Sequence, residues 1–213
     1  LLEGIEPVAP LEPDWALPTL DQSDAFLRDL LADDGLPAAW LAQEEFVRRL
    51  AVLLENGARG EYPRRQVAFL VPRRPFAVQE RDGRLYLDPA NYTRFDSTLD
   101  ILEGIDPYRL ARILTFVKPL VRQALTELGV GTDPDQLLGA AFAHVLDLPP
   151  LPDEIELVRP NVLYRYADQD LEALSPLQKQ VLRTGPRNVV RLQAYVRRLA
   201  GIMGIRIPPP GAR

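Results

Sequence analysis

The chain has 213 residues, 46% hydrophobic and 26% charged, with a net charge of −5, the composition of a packed globular protein and not of a disordered chain. It holds no cysteine and one histidine, His144, which excludes disulfide frameworks, thiol nucleophiles, zinc fingers and iron–sulfur clusters. A metal site would need carboxylates alone, no run of about 18 apolar residues occurs, and neither a metal, a cofactor nor a membrane-spanning helix is expected within these residues.

The start, LLEGIEPVAP, lacks an initiator methionine and a basic-plus-apolar leader, so the chain is expected to be a trimmed or processed product. Pro7, Pro10, Pro13 and Pro18 fix φ and deny helix, which predicts an extended tether over residues 1–18. Trp15 either pins that tether to the surface or moves with it. In LPTLDQSDAFLRDLLADDG the apolar stripe Leu20, Phe26, Leu27, Leu30 and Leu31 predicts a helix capped by Asp21 or Ser23 and ended by Gly35. A second helix over 44–56 carries Phe46, Val47, Leu50, Leu53 and Leu54 on one face, with acids in its first turn.

Residues 63–95 differ. Their prolines, and the pattern FAVQE, RDG, RLYL, predict a β-hairpin closed at Asp82-Gly83 inside a loop-rich excursion, and a two-stranded ribbon must lean on helices to be stable. From Asp106, Leu110, Leu114, Val117, Val121, Leu125 and Leu128 recur at helical spacing and predict one long helix kinked at Pro119. A shorter helix follows in DPDQLLGAAFAHVLDLPP. EIELVRP is too short to assign to strand or extended link. SPLQKQVLRTG and PRNVVRLQAYVRRLAGIMG read as two helices separated by Gly185-Pro186. The expected architecture is a mainly α, single helical domain over 19–205 with the 63–95 excursion in its middle, ending in a disordered tail over 206–213.

Charge is laid out unevenly. Residues 1–34 carry nine acids against Arg28 alone, whereas residues 173–213 carry eight bases and no acid. Either the acidic first helix docks on the basic last one, or the basic face, with Lys179, Arg183, Arg187, Arg191 and Arg198, meets an anionic partner such as lipid headgroups or an acidic protein surface. Nucleic acid is disfavoured, because the overall balance is acidic and no recognition signature is present. Within YRYADQDLEALSPLQKQVLRTGP, Asp168, Asp170 and Glu172 fall at one helix start, with Lys179 and Arg183 toward the end of the next, so dipole complementarity explains much of the pattern.

Candidate chemistry is sparse. His144 sits among apolar neighbours in AAFAHVLDL, and none of Ser23, Ser97 or Ser175 lies in a nucleophile-elbow context, so His144 is expected to be a packing residue. No catalytic residue is assigned. The weak alternative is Asp96, Asp100 and Glu103, which share a helical face and could present paired carboxylates for acid–base work. Tyr86, Tyr92, Arg94, Phe95, Tyr164 and Tyr166 would line a polar-aromatic groove if the hairpin folds against the C-terminal helices; the competing reading buries the rings at that seam.

The segments LPTLDQSDAFLRDLL, PANYTRFD, PLVRQALTELG and VLYRYADQDLEALSPLQKQVLRTGPRNVVRLQAYVRRL resemble the bacterial family known as domain of unknown function 3014, over roughly residues 17–200. The most specific part is aromatic-x-aromatic-Ala-Asp, then Leu-Glu, Gln-Lys and Leu-Arg-x-Gly-Pro. The resemblance implies a short upstream membrane anchor and a proline-rich stretch ahead of a domain on the periplasmic side of the inner membrane. It brings no catalytic residue with it. The expected function is a non-catalytic envelope binding or scaffolding domain whose partner is an envelope protein, anionic lipid or cell-wall component, with a carboxylate-based envelope hydrolase as the alternative. Candidate binding residues are Tyr92, Arg94, Tyr164 and Tyr166 together with Lys179, Arg183, Arg187, Arg191 and Arg198.

Overall fold

A computed structural model of the chain describes residues 16–72 and 74–209; Trp15 and nearly all of the expected tether lie outside them. Among the described residues are nine α-helices and one four-stranded antiparallel sheet, as the expected mainly α class requires. No helix among them is long and apolar enough to cross a membrane.

Helix α1 (Ser23–Leu31) follows a 3-10 turn over Leu20–Gln22. Neither Asp21 nor Ser23 caps it: the Ser23 hydroxyl donates back to the Leu20 carbonyl at 2.7 Å, and Asp21 accepts from Arg48 at 2.7 Å. After the single turn α2 (Ala38–Leu41) comes α3 (Phe46–Ala58), which begins two residues later than the periodicity predicts. Asp24 of α1 accepts from the backbone N–H groups of Glu45 (2.6 Å) and Phe46 (2.9 Å), so the anion at this helix start comes from another element, and Glu45 is held in the left-handed region at φ 57°.

Helix α4 (Asp96–Gly104) continues a 3-10 stretch over Pro89–Phe95, and α5 (Pro107–Glu127) runs unbroken through the exposed Pro119. Helix α5 buries Ile113, Val117, Leu120, Val121 and Leu125 against α1, α3 and α6 (Pro134–Leu146), and its first half also packs Ala111 and Leu114 toward the last helix. Leu128, expected on the buried stripe, is half exposed because α5 has already ended. Helix α6 is rich in small residues. A β-carbon on Gly57 of α3 would stand 3.1 Å from the Ala141 methyl, so the two helices approach closely.

Strands β1 (Val78–Arg81) and β2 (Arg84–Leu87) form the predicted hairpin. The unassigned segment EIELVRP supplies β3 (Glu156–Val158), which pairs with β2, and β4 (Arg165–Tyr166) pairs with β3 at the far edge. The hairpin therefore gains two strands from sequence about 70 residues downstream, and its support is a sheet as well as helices. Short α7 (Gln169–Ala173) and α8 (Pro176–Leu182) cover that sheet, joined through a core of Leu87, Ile155, Leu157, Leu171, Val181 and Leu182. Helix α9 (Pro186–Met203) closes the molecule against α4, α5 and α6. The packed body runs from Leu17 to Ile207, slightly beyond the expected 19–205.

Candidate recognition cavity

The motif Tyr164–Pro186 divides residue by residue between structure and site, not into an acidic and a basic half. Asp168 caps α7, accepting from Asp170 N–H (2.8 Å) and Leu171 N–H (3.0 Å). Ser175 and Gln178 form a reciprocal capping box at α8, which commits the Ser175 hydroxyl to the Gln178 backbone. Lys179 donates to the Glu172 carbonyl at 2.8 Å and carboxylate at 3.3 Å, closing the α7–α8 corner. Gly185 sits at φ 88°, and a β-carbon there would overlap the Tyr92 ring. The Gly-Pro step therefore seats α9 on the 3-10 stretch as well as starting it.

What remains of the motif lines a cavity of about 430 Å³, within the usual range for small-molecule sites. Its floor is the sheet and the 3-10 stretch, with Leu87, Leu157, Tyr166, Asn91, Arg94 and Phe95. Glu172, Gln180 and Arg183 come from α7 and the α8 end, Tyr62 and Arg64 from the loop after α3, and Val71, Phe76, Val162, Leu163 and Tyr164 from the mouth. At the mouth Phe76 lies against Tyr164 (centroids 5.6 Å apart), and Arg159 covers the Tyr164 ring at 5.3 Å.

Electrostatically the cavity is cationic: Arg64, Arg94, Arg165 and Arg183 face a single acid, Glu172, already engaged by Lys179 and by the Tyr166 backbone N–H at 3.1 Å. Among the described residues no carboxylate lies within ion-pair distance of any of those four arginines. Burial, with no counter-ion to offset it, pulls the Arg94 guanidinium below its ordinary value, though it stays charged. Burial pushes the Tyr166 phenol up, while Arg183 nearby works the other way without reaching hydrogen-bond geometry. Tyr62 is likewise raised by burial and partly offset by Arg64 and Arg183.

Hydrophobic exposure is concentrated here as well. Val71, Phe76, Val162 and Leu163 at the mouth are exposed by 50%, 38%, 80% and 70%. Folding alone does not require an apolar, exposed mouth beside two half-buried arginines, Arg94 and Arg183, and two exposed ones, Arg64 and Arg165.

The structure brings together Arg94, Phe95, Tyr164, Tyr166 and Arg183 of the sequence candidates. Tyr92 is partly buried behind the wall against Gly185, Tyr86 packs under Arg81 at 4.3 Å, and Lys179 belongs to the α7–α8 corner. Of the C-terminal bases, Arg191 is bonded to Asp100 (2.6 Å) and Glu103 (2.6 and 3.0 Å) of α4, Arg198 lies 5.8 Å from the Tyr108 ring, and Arg187 is exposed; none lines the cavity. The N-terminal acids are likewise met elsewhere, Asp21 by Arg48 of α3 and Asp34 by Arg109 of α5, and among the described residues no ion pair joins the acidic first helix to the basic last one, as one of the two charge readings required.

Of the carboxylate alternative, Asp96 accepts from Asn188 at 2.7 Å, and Asp100 and Glu103 both accept from Arg191 at 2.6 Å, which holds the Glu103 carboxyl below its usual range. Among the described residues no cluster of three His, Asp or Glu side chains is placed to hold a metal. His144 is buried at the α3–α6–α8 junction, beside Gly60 and Ser175. Val162, Leu163, Phe76, Arg64 and Gln180 escaped the sequence reading; the one available signal was an apolar pair, Val162-Leu163, set in an otherwise polar loop.

No curated protein and no solved structure matches this chain. A family model matches residues 46–200, which contain every residue around the cavity, so the chain belongs to the family described as Protein of unknown function (DUF3014).

Proposed function

We propose that this chain is the recognition domain of a membrane-tethered cell-envelope protein, non-catalytic, facing the periplasm, which takes an anionic and partly apolar ligand into the cavity between the sheet and α8. The observation that carries the reading is the conjunction of four arginines lacking carboxylate partners among the described residues with an apolar, exposed mouth. Charge complementarity and desolvation then act on the same ligand. The sequence ahead of Leu17 is rich in proline, a composition in keeping with an anchor upstream. The basic residues of α9 are not the binding face in this reading, since none of them lines the cavity and Arg191 is paired with α4.

The test is a photo-crosslinking side chain placed at Leu163 in the full-length protein in its host, beside a control at the equally exposed Val190 on α9. Adducts specific to Leu163, and reduced by Arg64→Glu with Arg165→Glu in a domain that melts as the parent does, are the expected result. Equal labelling at Leu163 and Val190, or none at Leu163, overturns the reading.

A further inference from the structure

Three buried side-chain atoms lack a hydrogen-bond partner among the described residues: Asp34 Oδ2, Arg94 Nε and the Tyr166 hydroxyl. Asp34, whose other oxygen takes Arg109, does not line the cavity. The remaining two belong to residues on the wall of one cavity. Buried polar groups in folded proteins are nearly always satisfied by protein, water or ligand, so two orphans at one site call for a partner.

The identity of the atoms limits that partner. An arginine N–H only donates, and a phenol hydroxyl can donate as well as accept, so an acceptor is the one kind of partner that satisfies both atoms. Arg94 is also presented in a defined way. Its Nη1 donates to Asn91 Oδ1 at 3.3 Å, and Asn91 is 2% exposed and fixed at both ends by Ala77, accepting from its N–H (2.9 Å) and donating to its carbonyl (2.7 Å). Anchoring Nη1 leaves Nε and Nη2, the edge of the guanidinium that meets a carboxylate with two parallel bonds.

The surroundings of the cavity argue for a small amphiphile over a peptide strand. Tyr166 lies on the edge strand β4, and its backbone N–H is already taken by Glu172 at 3.1 Å, which denies an added strand its partner there. Leu87, Phe95 and Leu157 inside and Phe76, Val162 and Leu163 at the mouth offer apolar contact along the way out. We propose that the cavity binds a small amphipathic carboxylate, its oxygens held by the Nε–Nη2 edge of Arg94 and the Tyr166 hydroxyl and its apolar chain leaving between Phe76, Val162 and Leu163. Both donor atoms are buried, so in the proposed complex the Arg94 and Tyr166 side chains turn toward the acid. The proposal rests on the reading of the cavity as the recognition site.

The experiment is calorimetric titration of the whole chain with dodecanoate below its micellar concentration, beside dodecylamine and dodecanol, and an apolar tripeptide acid. Dodecanoate is expected to bind one to one and to weaken about tenfold or more with Arg94→Lys, which keeps the charge and loses the fork. Tyr166→Phe is expected to weaken binding several-fold while raising the melting temperature, because it removes an unsatisfied buried hydroxyl; a residue serving packing alone would not move the two readouts in opposite directions. Equal affinity for dodecylamine or dodecanol, parental affinity in both variants, or binding of the tripeptide acid without dodecanoate each overturns the proposal. Failure of dodecanoate with Leu163 crosslinking intact removes the carboxylate inference alone, whereas failure of both removes the cavity as a recognition site.

Discussion

At Gly185 one residue joins two demands, a φ of 88° and the contact with the Tyr92 ring, and either alone would disfavour a side chain. Gly185→Ala is therefore expected to cost about 2–4 kcal/mol, read as a lowered urea midpoint at unchanged slope. Glu103 makes a second residue-level prediction, through pH. Its hydrogen bonds from Arg191 hold its pKa down, with Asp100 opposing. A carboxyl lowered on folding contributes stability above its unfolded value and loses it as pH falls, so the effect should fade from about pH 4.5 downward. Arg191→Gln should flatten the acid limb of the stability profile there, with only a small change near neutrality, since exposed pairs are worth about 0–1 kcal/mol. An acid limb identical in the variant would show that the pair contributes nothing.

At the level of elements, the start of α3 shows how one helix can depend on another. Asp24 of α1 supplies the carboxylate that accepts from both N–H groups at the α3 terminus. Asp24→Ala should cost about 1–2 kcal/mol, in the range of lost caps, and Glu45→Gly should stabilise by about 0.5–1 kcal/mol by relieving the left-handed backbone. Chemical denaturation of the two single variants measures both, and a neutral Asp24→Ala would assign the helix start to local sequence after all. The same contact explains why periodicity placed this helix two residues early: the acids Glu44 and Glu45 look like a first turn, and the true cap is far away in sequence. Helices α1, α5, α6, α8 and α9 were legible because an apolar stripe every three or four residues is a local signal. Strands β3 and β4 were not, being three and two residues long and defined by pairing with a distant hairpin. In the cavity, Arg94, Tyr164, Tyr166 and Arg183 were visible as an aromatic and basic cluster, whereas Val162, Leu163 and Phe76 acquire meaning only through exposure, which sequence does not encode locally.

For the whole molecule, three buried clusters are stitched together by shared residues: Leu138 borders the first and third, and Val145 and Leu192 border the second and third. Helix α6, which carries Leu138 and Val145, and α9, which carries Leu192, thereby connect the α1–α3–α5 side of the protein to the sheet that carries the cavity. That continuity predicts one cooperative unfolding transition, with far-ultraviolet and near-ultraviolet dichroism falling together. Leu125 is fully buried in the first cluster and Leu157 is buried in the second, with no shared packing partner. Leu125→Ala and Leu157→Ala should each cost about 2–5 kcal/mol, and the double variant should equal their sum within about 0.5 kcal/mol. Two separate transitions in Leu157→Ala would mean instead that the sheet and its cavity melt as a unit of their own, so that occupancy of the cavity could be coupled to local order without loosening the helical body. A single transition ties the two together, and a ligand in the cavity then stabilises every element of the domain at once.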